Sequence, residues 1–147
     1  MDRYIRKRET INVGAYVAQL KEVRDGCVVL NQLIERNDFS AAKAFVRAGG
    51  WSTLRNAVRA VAGASETETV SPSQIFRSLE SLDATLTSLE ADQMRAEEAE
   101  EKAKERGREV RIAKDVAADI DVAIGQVATF ADLIDQLVEA SPTQVNG

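Results

Sequence analysis

Catalysis and metal binding draw on a short menu of side chains, and this chain carries few of them: its 147 residues include no histidine and one cysteine, Cys27. Without histidine, the commonest general base is missing. So is the Glu-x-x-His pair with which helical bundles hold carboxylate-bridged metals. Asp115, Asp119 and Asp121 form a carboxylate cluster, yet they lack the glycine and terminal glutamate of a calcium loop and fall on a predicted helix, where a solvated face is the simpler reading. No glycine-rich phosphate loop and no G-x-S-x-G elbow occurs. Cys27 has no partner for an internal disulfide and sits on an apolar helical edge, so it reads as a small buried hydrophobe. The expectation is a protein that binds and does not react, with no catalytic residue, no metal and no cofactor.

Charge gives the binding candidates. Net charge is −5, but residues 1–64 carry eleven Lys/Arg against six Asp/Glu and residues 65–147 carry eight against eighteen, so the halves stand at +5 and −10. Between Phe39 and Ser65 every charged side chain is basic: Lys43, Arg47, Arg55 and Arg59. Such a strip can steer the chain toward an acidic surface, with salt-sensitive association. Equally, it can lie against the acidic second half of its own chain. Trp51, inside the strip, is either a core plug at a helix end or, if exposed, a binding anchor. The candidate partner-binding residues are Arg47, Trp51, Arg55 and Arg59, directed at a protein and not at nucleic acid.

These residues are positioned by helices. Val13, Tyr16, Leu20, Val23, Cys27, Leu30 and Ile34 recur at alternating steps of three and four, which predicts a helix over 10–36, preceded by an N-terminal arm over 1–9. A second helical region spans 38–62 and is cut at Gly49-Gly50 into two pieces or one bent helix, with Ser52 capping the restart and Leu54, Val58 and Val61 on one face. Residues 63–70 read as a loop. Ser71-Pro72-Ser73-Gln74 is a capping box with proline in the first turn and opens a third helix through Ile75, Leu79, Leu82, Leu86 and Leu89.

From 90 to 111 large hydrophobes nearly vanish, and eight acids interleave with six bases. This charged extension is either an exposed continuation of the third helix, supported by pairs such as Glu98 with Lys102, or a mobile link turning near Gly107. A last helix over 110–140 carries Ala113, Val116, Ile120, Ala123, Val127, Phe130, Ile134 and Leu137. Ser141-Pro142 ends it and a frayed tail follows over 141–147. Helices of this length joined by short connections imply an all-α, antiparallel (up-down) four-helix bundle over 10–140, with the charged extension between helices 3 and 4. No apolar run is long enough for a membrane span, and the charged start is not a secretory signal, so no targeting segment is expected in this chain.

Val46-Arg47-Ala48-Gly49, with Leu54-Arg55-Asn56-Ala57-Val58-Arg59-Ala60-Val61-Ala62, resembles plastid helical-bundle proteins related to the Q-type extrinsic subunit of photosystem II. The similarity extends to Tyr16-Val17 with Leu20, to Ser78-Leu79-Glu80-Ser81-Leu82-Asp83 and to Ala140-Ser141-Pro142, while the 90–111 segment departs from the pattern. The resemblance implies a non-catalytic accessory subunit in the chloroplast thylakoid lumen, bound peripherally to a photosynthetic membrane complex. Photosystem II is the first candidate and the chloroplast NADH dehydrogenase-like complex the alternative. A scaffold unrelated to photosynthesis, using the 90–111 extension as its contact surface, is the reading from a different class.

Overall fold

In a computed structural model, residues 2–48, 51, 53–65, 70–107 and 116–141 are described, with side chains for those from Val13 to Gly107 and from Ala118 onward. Among them every regular element is helical: α1 (Asp2–Glu35), α2 (Phe39–Phe45), α3 (Leu54–Ala64), α4 (Pro72–Arg106) and α5 (Val116–Glu139).

The expected apolar stripes are the core. Val13, Leu20, Val23, Cys27, Leu30 and Ile34 of α1 are buried, as are Ile75, Leu82, Leu86 and Leu89 of α4 and Ala123, Val127, Phe130, Ile134 and Leu137 of α5. Leu54, Val58 and Val61 of α3 join them, with Phe39 and Ala42 from α2. Spacings of three and four keep these positions on one side of each helix, which is what drives the faces together.

Helix ends follow local chemistry. α1 stops where Asn37 adopts a left-handed conformation, φ 61°. The Asp38 amide then reaches back to the Leu33 carbonyl at 2.9 Å and the Asn37 amide to Ile34 at 3.0 Å, the two bonds of a Schellman close. A β-branched side chain resists that conformation by about 1–2 kcal/mol. Asn37→Val should therefore lower stability by about that amount, read as a shift in the urea midpoint. Asp38 caps α2 by accepting from the Ala41 amide.

At the start of α4 the Ser71 hydroxyl accepts from the Gln74 amide, and the Gln74 side chain accepts from the Ser71 amide at 2.9 Å. Ser71→Ala should cost about 1 kcal/mol by the same assay.

Several boundaries differ from expectation. α1 begins at Asp2, so the segment expected as an arm continues the helix. The 38–62 region is two helices, with Gly49 and Gly50 outside the described residues; α3 has Thr53 at its N-cap position, whereas the expected cap, Ser52, lies outside them. α3 also runs to Ala64, two residues into the expected loop. Over 90–106 the charged extension is no link: α4 continues unbroken to Arg106 and closes on Gly107 at φ 67°. Its ion pairs are Asp92 with Arg95 and Glu100 with Lys104, not Glu98 with Lys102. α5 starts at Val116, and the earlier part of the expected last helix, including Ala113 and Asp115, lies outside the described residues, as does most of the 141–147 tail.

α1 packs on α5, α3 and α2, while α4 packs on α5, α2 and α3. α5 on one side and the α2–α3 pair on the other thus bridge α1 and α4. Cross-links fix the directions. Asn37 with Gln93, Lys43 with Glu90, Arg47 with Asp83 and Arg55 with Glu80 run in opposite sequence order, so α2–α3 lies antiparallel to α4.

Candidate docking surface

The basic strip faces α4, and the four bases differ in how firmly they are held. Lys43 Nζ lies 3.3 Å from Glu90 Oε1, with both side chains about one-fifth exposed (20% and 23%). Arg47 forms a two-pronged pair with Asp83, Nε to Oδ1 at 3.0 Å and Nη2 to Oδ2 at 2.9 Å. Planar guanidinium and carboxylate match best in that geometry. The bond to Asp83 raises the Arg47 pKa further. Hydrogen bonds from Ser40 and then Lys43 hold the Glu90 carboxyl below its ordinary range. These two bases are committed within the chain.

Arg55 and Arg59 are not. Arg55 meets Glu80 at 3.6 Å across a pair in which both side chains are about two-thirds exposed (64% and 68%). Such a contact adds little stability. Both guanidinium carbons also sit over the Phe76 ring, at 5.4 Å for Arg55 and 5.7 Å for Arg59. The α3 spacing of four residues puts the two arginines one turn apart on the flank facing α4, and Phe76, half-buried in the first turns of α4, is the platform between them. The arrangement is a pair of solvent-facing cations gathered over one ring, with one loosely attached carboxylate. Its chemistry is recognition of acidic groups.

Trp51 is elsewhere. Its ring is buried, stacked on Phe130 at 5.2 Å with an interplanar angle of 25°, and edge-on to Phe45 at 5.8 Å. It plugs the break between α2 and α3. Gly26 of α1 lies beneath: a Cβ there would stand 3.1 Å from Phe45 Cζ and 3.3 Å from Trp51 Nε1. Of the four residues singled out from sequence, the structure therefore gathers Arg55 and Arg59 at one exposed place, ties Arg47 to Asp83 and puts Trp51 in the core. Phe76 was missed as a platform. Its signal was its place one turn before Glu80, on the α4 face that carries Asp83 and Glu90.

An open groove of about 370 Å³ lies beside the α2–α3 break, lined by Val46, Arg47, Leu79, Glu80, Asp83 and Ala84. Its charged groups are the ones already paired. Among the described residues no group of three or more potential metal ligands comes together. Cys27 is buried, and desolvation pushes its thiol up from 9.0 to about 11. At about pH 8 that leaves about 100-fold less thiolate than in the unfolded chain. Labelling by a thiol reagent should slow at least that much on folding.

No protein family, curated protein or solved structure matches this chain.

Proposed function

We propose that this chain is a non-catalytic accessory subunit, an up-down four-helix bundle with α2 and α3 together forming its second rod, which docks peripherally on a larger protein complex through Arg55, Arg59 and Phe76. The observation that carries the reading is the pair of exposed guanidiniums brought together over one ring. Preorganised cations lose less side-chain freedom on binding than mobile ones, so they suit docking to an acidic surface. In this reading Arg47 and Trp51 serve the fold. No described helix is long and apolar enough to cross a membrane, which fits peripheral attachment.

The complex we propose is photosynthetic, in the chloroplast thylakoid lumen, with photosystem II first. That step rests on the sequence resemblance, whose most distinctive part surrounds Arg47, Arg55 and Arg59. The test is a salt-wash assay on thylakoid membranes reconstituted with the chain. Wild type should stay bound at low salt and leave as salt rises, because screening shortens the reach of the arginines. Arg55→Glu with Arg59→Glu should be lost at low salt while its helical circular dichroism is unchanged. Equal retention of that variant would refute the docking site, and no retention of wild type on any thylakoid fraction would refute the photosynthetic assignment.

A further inference from the structure

One large member of the α4 stripe is not sealed. Ile75, Leu82, Leu86 and Leu89 are fully buried, whereas Leu79 is only partly buried and packs at the edge of the core. Beside it lies the open groove of about 370 Å³, with Val46 and Ala84 as its other apolar walls and Arg47, Glu80 and Asp83 completing the lining. Ala84 is exposed and presents only a methyl group there. An open groove cannot wrap a small molecule as enclosed pockets of roughly 300–1,000 Å³ do, but it has room for one large apolar side chain presented from outside.

The groove adjoins the arginine pair. Phe76 stands one turn before Leu79 and Glu80 on α4. Arg55, over the Phe76 ring at 5.4 Å, also meets Glu80 at 3.6 Å, so Glu80 belongs to the arginine site and to the groove at once. Arg47 also lines the groove, with Nε and Nη2 on Asp83 and a side chain still 56% exposed. With Arg59 over the same ring, the guanidiniums around this surface outnumber the carboxylates of Glu80 and Asp83. The surface as a whole is an apolar slot with an excess of positive charge beside it.

We propose that the partner segment read by Arg55 and Arg59 is an acidic peptide that also inserts one bulky apolar side chain into the groove between Val46, Leu79 and Ala84. This rests on the docking reading above and names the chemistry of its partner. The middle of the groove lining lies about 8 Å along the α4 axis from Phe76, a distance that extended chain covers in two or three residues. The segment therefore carries leucine or phenylalanine, with carboxylates beginning about two residues away on the same face of the extended chain. Exposed charge pairs alone bind weakly and are screened by salt. Burial of the apolar side chain adds affinity, and the arginines set the direction in which the segment lies.

The test titrates the 15N-labelled full chain, at about 20 mM salt, with short glycine–serine peptides followed by NMR. One carries a leucine with aspartates at the second and fourth positions after it, one has alanine for the leucine, and one has lysines for the aspartates. The leucine peptide should bind at least about tenfold more tightly than the alanine peptide and should shift the amide signals of Leu79 and Ala84, which the alanine peptide leaves in place. Both acidic peptides should shift the Nε–H signals of Arg55 and Arg59, and the lysine peptide should shift neither set. Ala84→Phe, at an exposed helix position, fills the groove and should bring the leucine peptide down to the affinity of the alanine peptide, with circular dichroism unchanged. Equal binding of the leucine and alanine peptides to wild type, with the arginine signals shifting, would overturn the groove and leave the docking reading standing. A leucine preference untouched by Ala84→Phe would place the apolar contact elsewhere and overturn it too. Acidic peptides that bind Arg55→Glu with Arg59→Glu as well as wild type would overturn the docking reading itself.

Discussion

Replacing Trp51 with alanine is expected to remove about 3–5 kcal/mol of folding stability, a large share of the roughly 5–15 kcal/mol that holds a domain of this kind together. The indole lies between the end of α2 at Phe45 and the start of α3 at Leu54. It is stacked on Phe130, which is fully buried, and met edge-on by Phe45. Truncation removes the ring's burial and leaves a void that α1, α3 and α5 cannot close without moving. Phe130→Ala should cost a similar amount. Because the two rings touch, the double variant should fall short of the sum, with a coupling of about 0.5–1.5 kcal/mol. Urea unfolding followed by far-ultraviolet circular dichroism measures all three. A loss under about 1 kcal/mol for Trp51→Ala would mean that the ring is not seated in the core.

After the two ring truncations, Gly26→Leu is expected to be the most damaging of these substitutions, at about 1–3 kcal/mol or more. In the sequence Gly26 is a helix-interior glycine that costs up to about 1 kcal/mol in propensity. The fold explains its presence: the helix backbone there lies against the Phe45 and Trp51 rings, at 3.1 to 3.3 Å from where a Cβ would be. Gly26→Ala sets a gain in helix propensity against a squeeze on the far edge of the Phe45 ring. That ring is only partly buried and can yield by a few tenths of an ångström, so alanine should come out within about 1 kcal/mol of wild type. Leucine cannot be accommodated that way. The contrast between the two substitutions, measured by thermal or urea unfolding, separates a close-approach glycine from one that merely weakens a helix. Gly14, with nothing within 4 Å of its would-be Cβ, is the internal control, where alanine should stabilise.

Most of the fold was legible because periodicity and capping act locally. The stripe from Val13 to Ile34 and the capping box at Ser71 each declare themselves within a few turns of chain, and both stand in the structure as the spacing required. The end of α1 fell within one residue of expectation because Asn37 and Asp38 are a stop and a start in succession. What was not legible is relational. Nothing local says that the bases of 43–59 meet the acids of 80–90. That pairing arises only when α2–α3 lies antiparallel to α4, and it gives Arg47 a partner within the chain, Asp83, while leaving the arginine side chain 56% exposed.

The case differs for Arg55 and Arg59, which share a spacing with Lys43 and Arg47 yet face a ring and one exposed glutamate in place of a committed carboxylate. Trp51 illustrates the same limit. A tryptophan beside a double glycine reads more readily as a plug than as a binding anchor, and the positions of Phe130 and Gly26, on two other helices, bear the plug out.

The charged end of α4 was legible as helix-favouring, and a continuation of the third helix was one of the two readings its composition allowed. Alanine, glutamate, lysine and arginine are strong helix formers, so the helix that begins at Ser71 has no reason to stop at Leu89 merely because its buried face does. It runs on until Gly107 supplies a left-handed cap. The two halves of α4 are therefore alike in backbone and unlike in surroundings.

That division is the central claim about α4, whose first half the α2–α3 bases and the core cover, and amide hydrogen exchange resolved along the chain tests it most directly. Amides from Ile75 to Glu90, covered by α2–α3 and the core, should exchange only through large-scale opening, whereas those from Met94 to Arg106 should exchange orders of magnitude faster through local fraying. Uniform slow exchange through Arg106 would show that the second half of α4 is already covered, and would contradict the account.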